Sequence, residues 1–287
     1  MTTDVLTAIR NGMSSFSKGQ RRIAAYILES YDKAAFLTAS KLGKITQVSE
    51  STVVRFAAEL GYKGYPEMQQ ALQEVVRTRL TSVQRIEVSN TQFMGQDVAS
   101  MVLHSDMDTL RLTNDALDRK ALSDAVDAIL KAKNIYILGV RSSNILARFL
   151  NFYLRIMMGN VHLVEPLATS EIFEQMMHVG KEDAVIGISL PRYSRRTARA
   201  MHFAKGSGAT CIAITDNYQA PLVRASDHVL IAKSDMVSFV DSLVAPLSVV
   251  NVLVVAISQK LGVEFSRTMA EMEGIWEKYD IYEHVES

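Results

Sequence analysis

Five short apolar runs, NIYILGV, VHLVEP, AVIGISL, CIAITD and HVLIAK, follow one another between residues 134 and 233. Each is rich in Ile and Val and short enough to be a buried strand. Segments of helical period, SNILARFLNFYLRIMM, SEIFEQMMHVG and SRRTARAMHFAKGSG, separate the first four. Strands that alternate with helices form a parallel sheet, because each crossover helix lies over a sheet face. No other feature constrains the chain so strongly: it predicts an α/β domain with a central parallel sheet flanked by helices. The pattern also locates a site, since such sheets bind ligands beyond the carboxyl ends of their strands. The turns RSSN, EPLATS and PRYSRRT then share one rim.

The first eighty residues read differently, as helices only. KGQRRIAAYILESY sets Ile23, Tyr26, Ile27 and Tyr31 on one helical stripe, and TASKLGKI is a short helix with Thr38 as N-cap. Ser49 is placed to cap a helix running to Leu60, Gly61 is its stop, and Pro66 suits the first turn of another helix through Met68, Leu72 and Val75. Residues 1–79 therefore form an all-α domain. Residues 80–100 are polar without a sustained period and are expected to be a linker. Residues 101–287 make the second domain, opening with helices over 97–114 and 119–131.

A length of 287 residues suits two domains. The single cysteine, Cys211, excludes an internal disulfide framework and is read as a small core residue. The N-terminus lacks a signal-peptide pattern, and LVAPLSVVNVLVVAIS, interrupted by Pro246, Ser248 and Asn251, falls short of the about 20 apolar residues that span a bilayer. It is expected to be a buried helix, with no membrane partner and a cytoplasmic location. Lys/Arg and Asp/Glu balance at 31 each, but residues 1–79 hold eleven against seven, leaving the remainder at −4. A basic front end is a weak sign of a polyanionic partner.

In the helix over 50–60, Val53, Phe56, Ala57 and Leu60 share the inward face, and Ser51, Thr52, Arg55, Ala58 and Glu59 the outward one. Small hydroxyls in the first turn with an arginine on the next suit a helix entering a major groove. The same period suits an ordinary three-helix bundle with a polar outside.

At the rim, Ser142, Ser143 and Asn144 lead into a helix whose unpaired N–H groups face the ligand edge, an anion site that needs no lysine. Capping alone would also explain them. Ser194 and Thr197 can open the next helix in the same way. Arg192, Arg195 and Arg196 add guanidinium forks suited to phosphate or carboxylate, although not all three can enter one pocket.

VSESTVVRFAAELGYKGYPEM resembles the helix-turn-helix signature of the RpiR family of bacterial transcription regulators. That family joins such a domain to a sugar isomerase (SIS) domain, and the resemblance covers nearly the whole chain. It implies a flavodoxin-like, SIS-type α/β domain. It also implies that Ser49, Ser51, Thr52 and Arg55 lie against DNA, with Lys18, Arg21, Arg22 and Lys63 as phosphate clamps. Gln47 stands where the family often has a turn glycine. SIS domains usually carry Gly-x-Gly-x-Ser after the first strand and Ser-x-Ser-Gly-x-Thr after the third. Here Arg141 replaces the second glycine and Arg195 the third, while Ser143, Ser189, Ser194 and Thr197 carry over. The implied ligand site is Arg141, Ser142, Ser143, Ser189, Arg192, Tyr193, Ser194, Arg195, Arg196 and Thr197, reshaped toward a more anionic ligand.

The expected function is a DNA-binding regulator that senses a phosphorylated sugar or related sugar acid. Its expected partners are operator DNA, a phosphorylated sugar effector and further copies of itself, as homodimer or homotetramer. The alternative is a sugar-phosphate aldose–ketose isomerase, with Glu165 or Glu171 as the base. Catalysis is not expected. Nor is a cofactor or metal, because the six histidines are scattered and form no ligand cluster.

Overall fold

The computed structural model describes residues 5–79, 81–93, 97–165, 168–234 and 240–283. Pro166 and Leu167 of the EPLATS turn, residues 80 and 94–96 of the expected linker, and the last four residues of the tail lie outside this set. The chain divides at Val98 into two compact units.

The first unit is helical throughout: α1 (Val5–Gly12), α2 (Lys18–Glu29), α3 (Tyr31–Ala34), α4 (Ala39–Thr46), α5 (Glu50–Glu59), α6 (Tyr65–Arg79) and α7 (Ser82–Phe93). Local signals start the helices where expected. Ser17 and Gln20 form a capping box at α2, and Thr38 Oγ1 accepts from Lys41 N at 3.3 Å at α4. Helices α1, α2, α5 and α6 each bury an apolar stripe and α4 adds Leu42, whereas α7 leaves Val83 and Ile86 exposed. Ile9, Ile23, Ile27, Leu42, Val53, Phe56, Met68 and Leu72 meet in one core, where Phe16 and Phe56 pack edge to face at 5.1 Å. Full burial of each such side chain contributes about 1.5–3 kcal/mol. Residues 80–100, expected as a patternless linker, contain α7 and the first turn of α8.

The second unit begins with α8 (Val98–Ala116) and α9 (Arg119–Lys131). It continues as β1 (Ile135–Gly139), α10 (Ser142–Met157), β2 (Val161–Val164), α11 (Thr169–Gln175), β3 (Ala184–Ile188), α12 (Arg195–Gly206), β4 (Thr210–Thr215), a 3-10 turn (Pro221–Ala225), β5 (His228–Ile231), α13 (Val244–Leu261) and α14 (Val263–Lys278). All five strands are parallel, in the order β2-β1-β3-β4-β5. Side chains alternate across the sheet as a strand's period of two demands. Ile135, Ile137, Ile186, Ile188, Ile212 and Ile214 pack under α9, α10 and α13, whereas Tyr136, Leu138, Val185, Cys211 and Ala213 pack under α11 and α12. Both faces are covered, which is why the strands read as continuous apolar runs. Burial pushes the Cys211 thiol up to about 11, so at neutral pH it is a protonated core side chain.

The helix expected to be buried, α13, is buried on one face only. Ala245, Val249, Val250, Leu253 and Ile257 enter the core, while Val252 and Val255 stay exposed. The next helix, α14, has no buried residue.

Candidate DNA-binding face and ligand site

In the first unit α4, a tight turn and α5 make a helix-turn-helix. Gln47 closes α4 in the left-handed region (φ 53°, ψ 47°), so a non-glycine residue does occupy the turn. Two contacts make this turn possible. A Cβ on Gly43 would lie 2.9 Å from Val48 O, so the chain leaving the turn presses directly on the backbone of α4. Arg22 donates from Nη2 to Gln47 O at 2.8 Å, reaching from α2 to hold the strained residue. Gly43 was not singled out from the sequence, because close approach leaves no periodic trace. Replacing Gln47 with Gly should relieve about 1 kcal/mol of left-handed strain. That raises the thermal midpoint of this unit by about 4–8 °C, measurable by circular dichroism, with operator affinity unchanged.

Ser49, Ser51 and Arg55 are exposed on the outward side of α5, opposite buried Val53, Phe56 and Ala57. Ser49 stands at the N-cap but makes no side-chain cap. Its hydroxyl instead lies 2.9 Å from Ser51 Oγ and 2.8 Å from half-buried Thr52 Oγ1. The result is a small hydroxyl cluster over the unpaired amides that begin the helix, where the dipole favours a phosphate. Arg55 Nε donates to Ser51 O within the same helix at 3.3 Å, and the rest of the guanidinium extends into solvent. Lys18, Arg21 and Lys63 are exposed as well. Arg22, grouped with them by sequence, has the separate task of holding the turn.

In the second unit the strand order reverses direction between β1 and β3, because β2 lies on one side of β1 and β3 to β5 on the other. Ligands of doubly wound sheets sit at such a switch point. The last register pair is Gly139 with Ile188, so the loops after these strands leave the sheet side by side. A Cβ on Gly139 would lie 2.4 Å from Ser143 O, which brings the start of α10 hard against β1 and buries Ser143. Asn144 Nδ2 ties that turn back to Gly139 O at 3.2 Å.

On the other side Ser189 is buried at the end of β3, held by Thr215 Oγ1, which donates to its carbonyl at 2.8 Å. Ser189 Oγ accepts from Ser194 N at 3.1 Å, and Ser194 Oγ accepts from Thr197 N at 3.2 Å as the N-cap of α12. Thr197 is fully buried, and its Oγ1 has no hydrogen-bond partner among the described residues. A buried hydroxyl costs about 1–3 kcal/mol when unpaired. Tyr193 donates to Asp216 Oδ1 at 2.8 Å and accepts from Asn217 Nδ2 at 2.8 Å, pinning its loop to the end of β4. Asp216 and Asn217 were missed from sequence, although the rim rule applied to CIAITD marks their positions. Ser142, Arg141, Arg192, Arg195 and Arg196 are exposed. Arg141 has φ 60° and ψ −127°, and Arg192 φ 60°, conformations that cost a residue with a Cβ about 1–3 kcal/mol each.

The two carboxylates considered as isomerase bases are engaged elsewhere. Arg148 Nη2 donates to both oxygens of Glu165 at 2.8 Å, and Glu171 Oε2 accepts from Ala168 N at 3.1 Å.

Residues 3–78 match the helix-turn-helix domain of the rpiR family, and residues 128–256 match the SIS domain. An uncharacterised HTH-type transcriptional regulator of Haemophilus influenzae is 30% identical over 238 residues, 79% of each chain. HexR, an HTH-type transcriptional regulator of Pseudomonas aeruginosa, is 25% identical over 276 residues, 91% of this chain and 92% of its own. Among solved structures, the Vibrio vulnificus NanR protein complexed with ManNAc-6P superposes with a TM-score of 0.60 at 26% identity, covering 96% of this chain and 98% of that one. The sugar isomerase domain of an RpiR transcription factor from Sphaerobacter thermophilus gives 0.58 at 28% identity, over 62% of this chain and 99% of that domain. A helix-turn-helix and an SIS domain on one chain define the class: a two-domain transcriptional regulator. The chain belongs to the rpiR family of helix-turn-helix regulators.

Proposed function

We propose that this regulator binds a phosphorylated sugar or sugar acid at the β1/β3 switch point and couples it to operator binding through α5. The observation that carries the reading is the group of Ser143, Ser189 and Thr197, buried where two helices begin, with Thr197 Oγ1 unpaired. Hydroxyls and helix-start amides together solvate a phosphate without a metal. That the related NanR was solved with ManNAc-6P supports the same ligand class here. Ser49, Ser51, Thr52 and Arg55 form the groove-facing set in this reading, with Lys18, Arg21 and Lys63 on phosphates.

The SIS unit binds its ligand without converting it. Glu165 is paired with Arg148 and Glu171 accepts from a helix-start amide, engagements that support a binding role over a catalytic one. The regulator works in the cytoplasm as a dimer or a dimer of dimers, since palindromic half-sites need two reading helices. The exposed apolar residues of α13 and the unburied α14 supply surface for a second copy.

The test is a gel shift on the protein's own promoter region, across a panel of phosphosugars that includes ManNAc-6P. Binding should weaken steeply with salt, and one compound should shift it. Replacing Ser194 with Ala and Thr197 with Val together should abolish that shift and leave DNA affinity intact. A response retained in the double variant would move the sensor elsewhere, and turnover of the phosphosugar by the isolated protein would favour the isomerase.

A further inference from the structure

The buried residues of α8 are two threonines, Thr109 and Thr113. Thr109 turns its hydroxyl back to Ser105 O within the helix, and Thr113 Oγ1 accepts from Lys233 N at 2.9 Å, fixing α8 beside the end of β5. The large apolar residues point elsewhere: Leu103 is 62% exposed and Met107 55%. A helix that serves one folded domain has the opposite arrangement, with its apolar stripe inward. These side chains are not scattered. Leu103, Met107 and half-buried Leu110 follow at spacings of four and three, and exposed Asn114 continues the series. That is the spacing of a seam between two paired helices, in which a polar residue at one core position sets the register.

The charges beside the seam identify its partner. Asp106 and Arg111 flank it on opposite sides, five residues apart. In a parallel pair of identical helices, residues so placed meet across the seam, the acid of each copy against the base of the other. Arg111 is exposed and forms no ion pair among the described residues. Asp106 is held in place by Ser242 Oγ, which donates to its Oδ1 at 2.5 Å. The flank is thus complementary to itself, as a two-fold contact requires. Because α8 begins at Val98, where the chain divides, a parallel pair sends both first units off the same end. Two operator half-sites need that arrangement.

We propose that the flank of α8 carrying Leu103, Met107 and Leu110 docks against the same flank of a second copy, with the two helices parallel. The inference rests on the reading of the regulator as a dimer and adds a contact separate from α13 and α14.

Sedimentation velocity of the full chain over a concentration series, without DNA, tests it. The double variant Leu103→Glu, Met107→Glu sets like charges face to face across the seam, and should raise the dimer dissociation constant about a hundredfold or more. Its far-UV circular dichroism should match the wild type, since both side chains are exposed. Met107→Cys should form an inter-chain disulfide under mild oxidation, because residues at that position meet their own counterparts in a parallel pair. Leu112→Cys, exposed on the opposite side of α8, should not, and buried Cys211 should take no part. Unchanged self-association of the double variant, or cross-linking of Leu112→Cys as fast as that of Met107→Cys, overturns the inference and leaves α13 and α14 as the surface for the second copy. Loss of helix in the double variant means that the flank is covered within its own chain, and overturns it as well. A wild type that stays monomeric throughout overturns both the inference and the dimer reading beneath it.

Discussion

Gly139→Ala should destabilise the SIS unit by about 3 kcal/mol, at the upper end of what an added methyl group costs in a packed site. The new Cβ would lie 2.4 Å from Ser143 O and 2.8 Å from Ser143 C, both backbone atoms. Neither side can yield cheaply. Gly139 ends a strand paired on both sides of the sheet, and Ser143 lies in the first turn of a helix whose Leu146, Ala147 and Leu150 are fixed in the core. Relief must come from moving the start of α10, which carries Ser142 and Ser143 away from β3 and removes the phosphosugar response as well. Gly187→Ala is the control, because its Cβ meets Met201 Sδ at 2.5 Å, an atom of a flexible side chain. That variant should lose about 1 kcal/mol and keep the ligand response. Urea midpoints and ligand-induced thermal shifts for both proteins decide the matter. Equal losses in the two would mean that the backbone approach at Gly139 is not what shapes the site.

Arg55→Ala should weaken operator binding by about a hundredfold or more. One arginine contact to a base edge or phosphate is worth about 1–3 kcal/mol, and a two-fold operator removes it twice. The fold should be unaffected, since Arg55 is exposed and its hydrogen bond among the described residues is to the carbonyl of Ser51 in its own helix. The salt dependence distinguishes its role: loss of a phosphate contact lowers the slope of log K against log salt by about one per contact, and loss of a base contact lowers affinity while leaving the slope alone. Arg22→Ala is the informative comparison. It removes the donor to Gln47 O, so stability of the helix-turn-helix and operator affinity should fall together. If Arg55→Ala binds operator as the wild type does, α5 does not read the groove.

Much of the local structure around the candidate site was legible one element at a time. Ser194 and Thr38 have the local spacing of N-caps, and both cap in the structure. The rim position of Ser143, Ser189 and Thr197 follows from strand and helix alternation alone. Other features had no local signature. Tyr193 looks like a ligand donor in PRYSRRT, but its hydroxyl is engaged by Asp216 and Asn217 from the next strand. Arg22 looks like a surface cation, yet it holds a turn 25 residues away. Glu165 looks like an available base until Arg148, from the preceding helix, grips both its oxygens.

Periodicity and capping signals are written in neighbouring residues, and so the sequence by itself determined the helical first unit, the five parallel strands, their crossover helices and the edge proposed to hold a ligand. The order β2-β1-β3-β4-β5 is a choice among packings that bury the same apolar runs, and only the tertiary structure decided it. The same holds for the unpaired hydroxyl of Thr197 and the left-handed backbone of Arg141. A side chain's partner and the sign of a strained φ are set by groups far away in the chain, brought close only when the sheet is assembled.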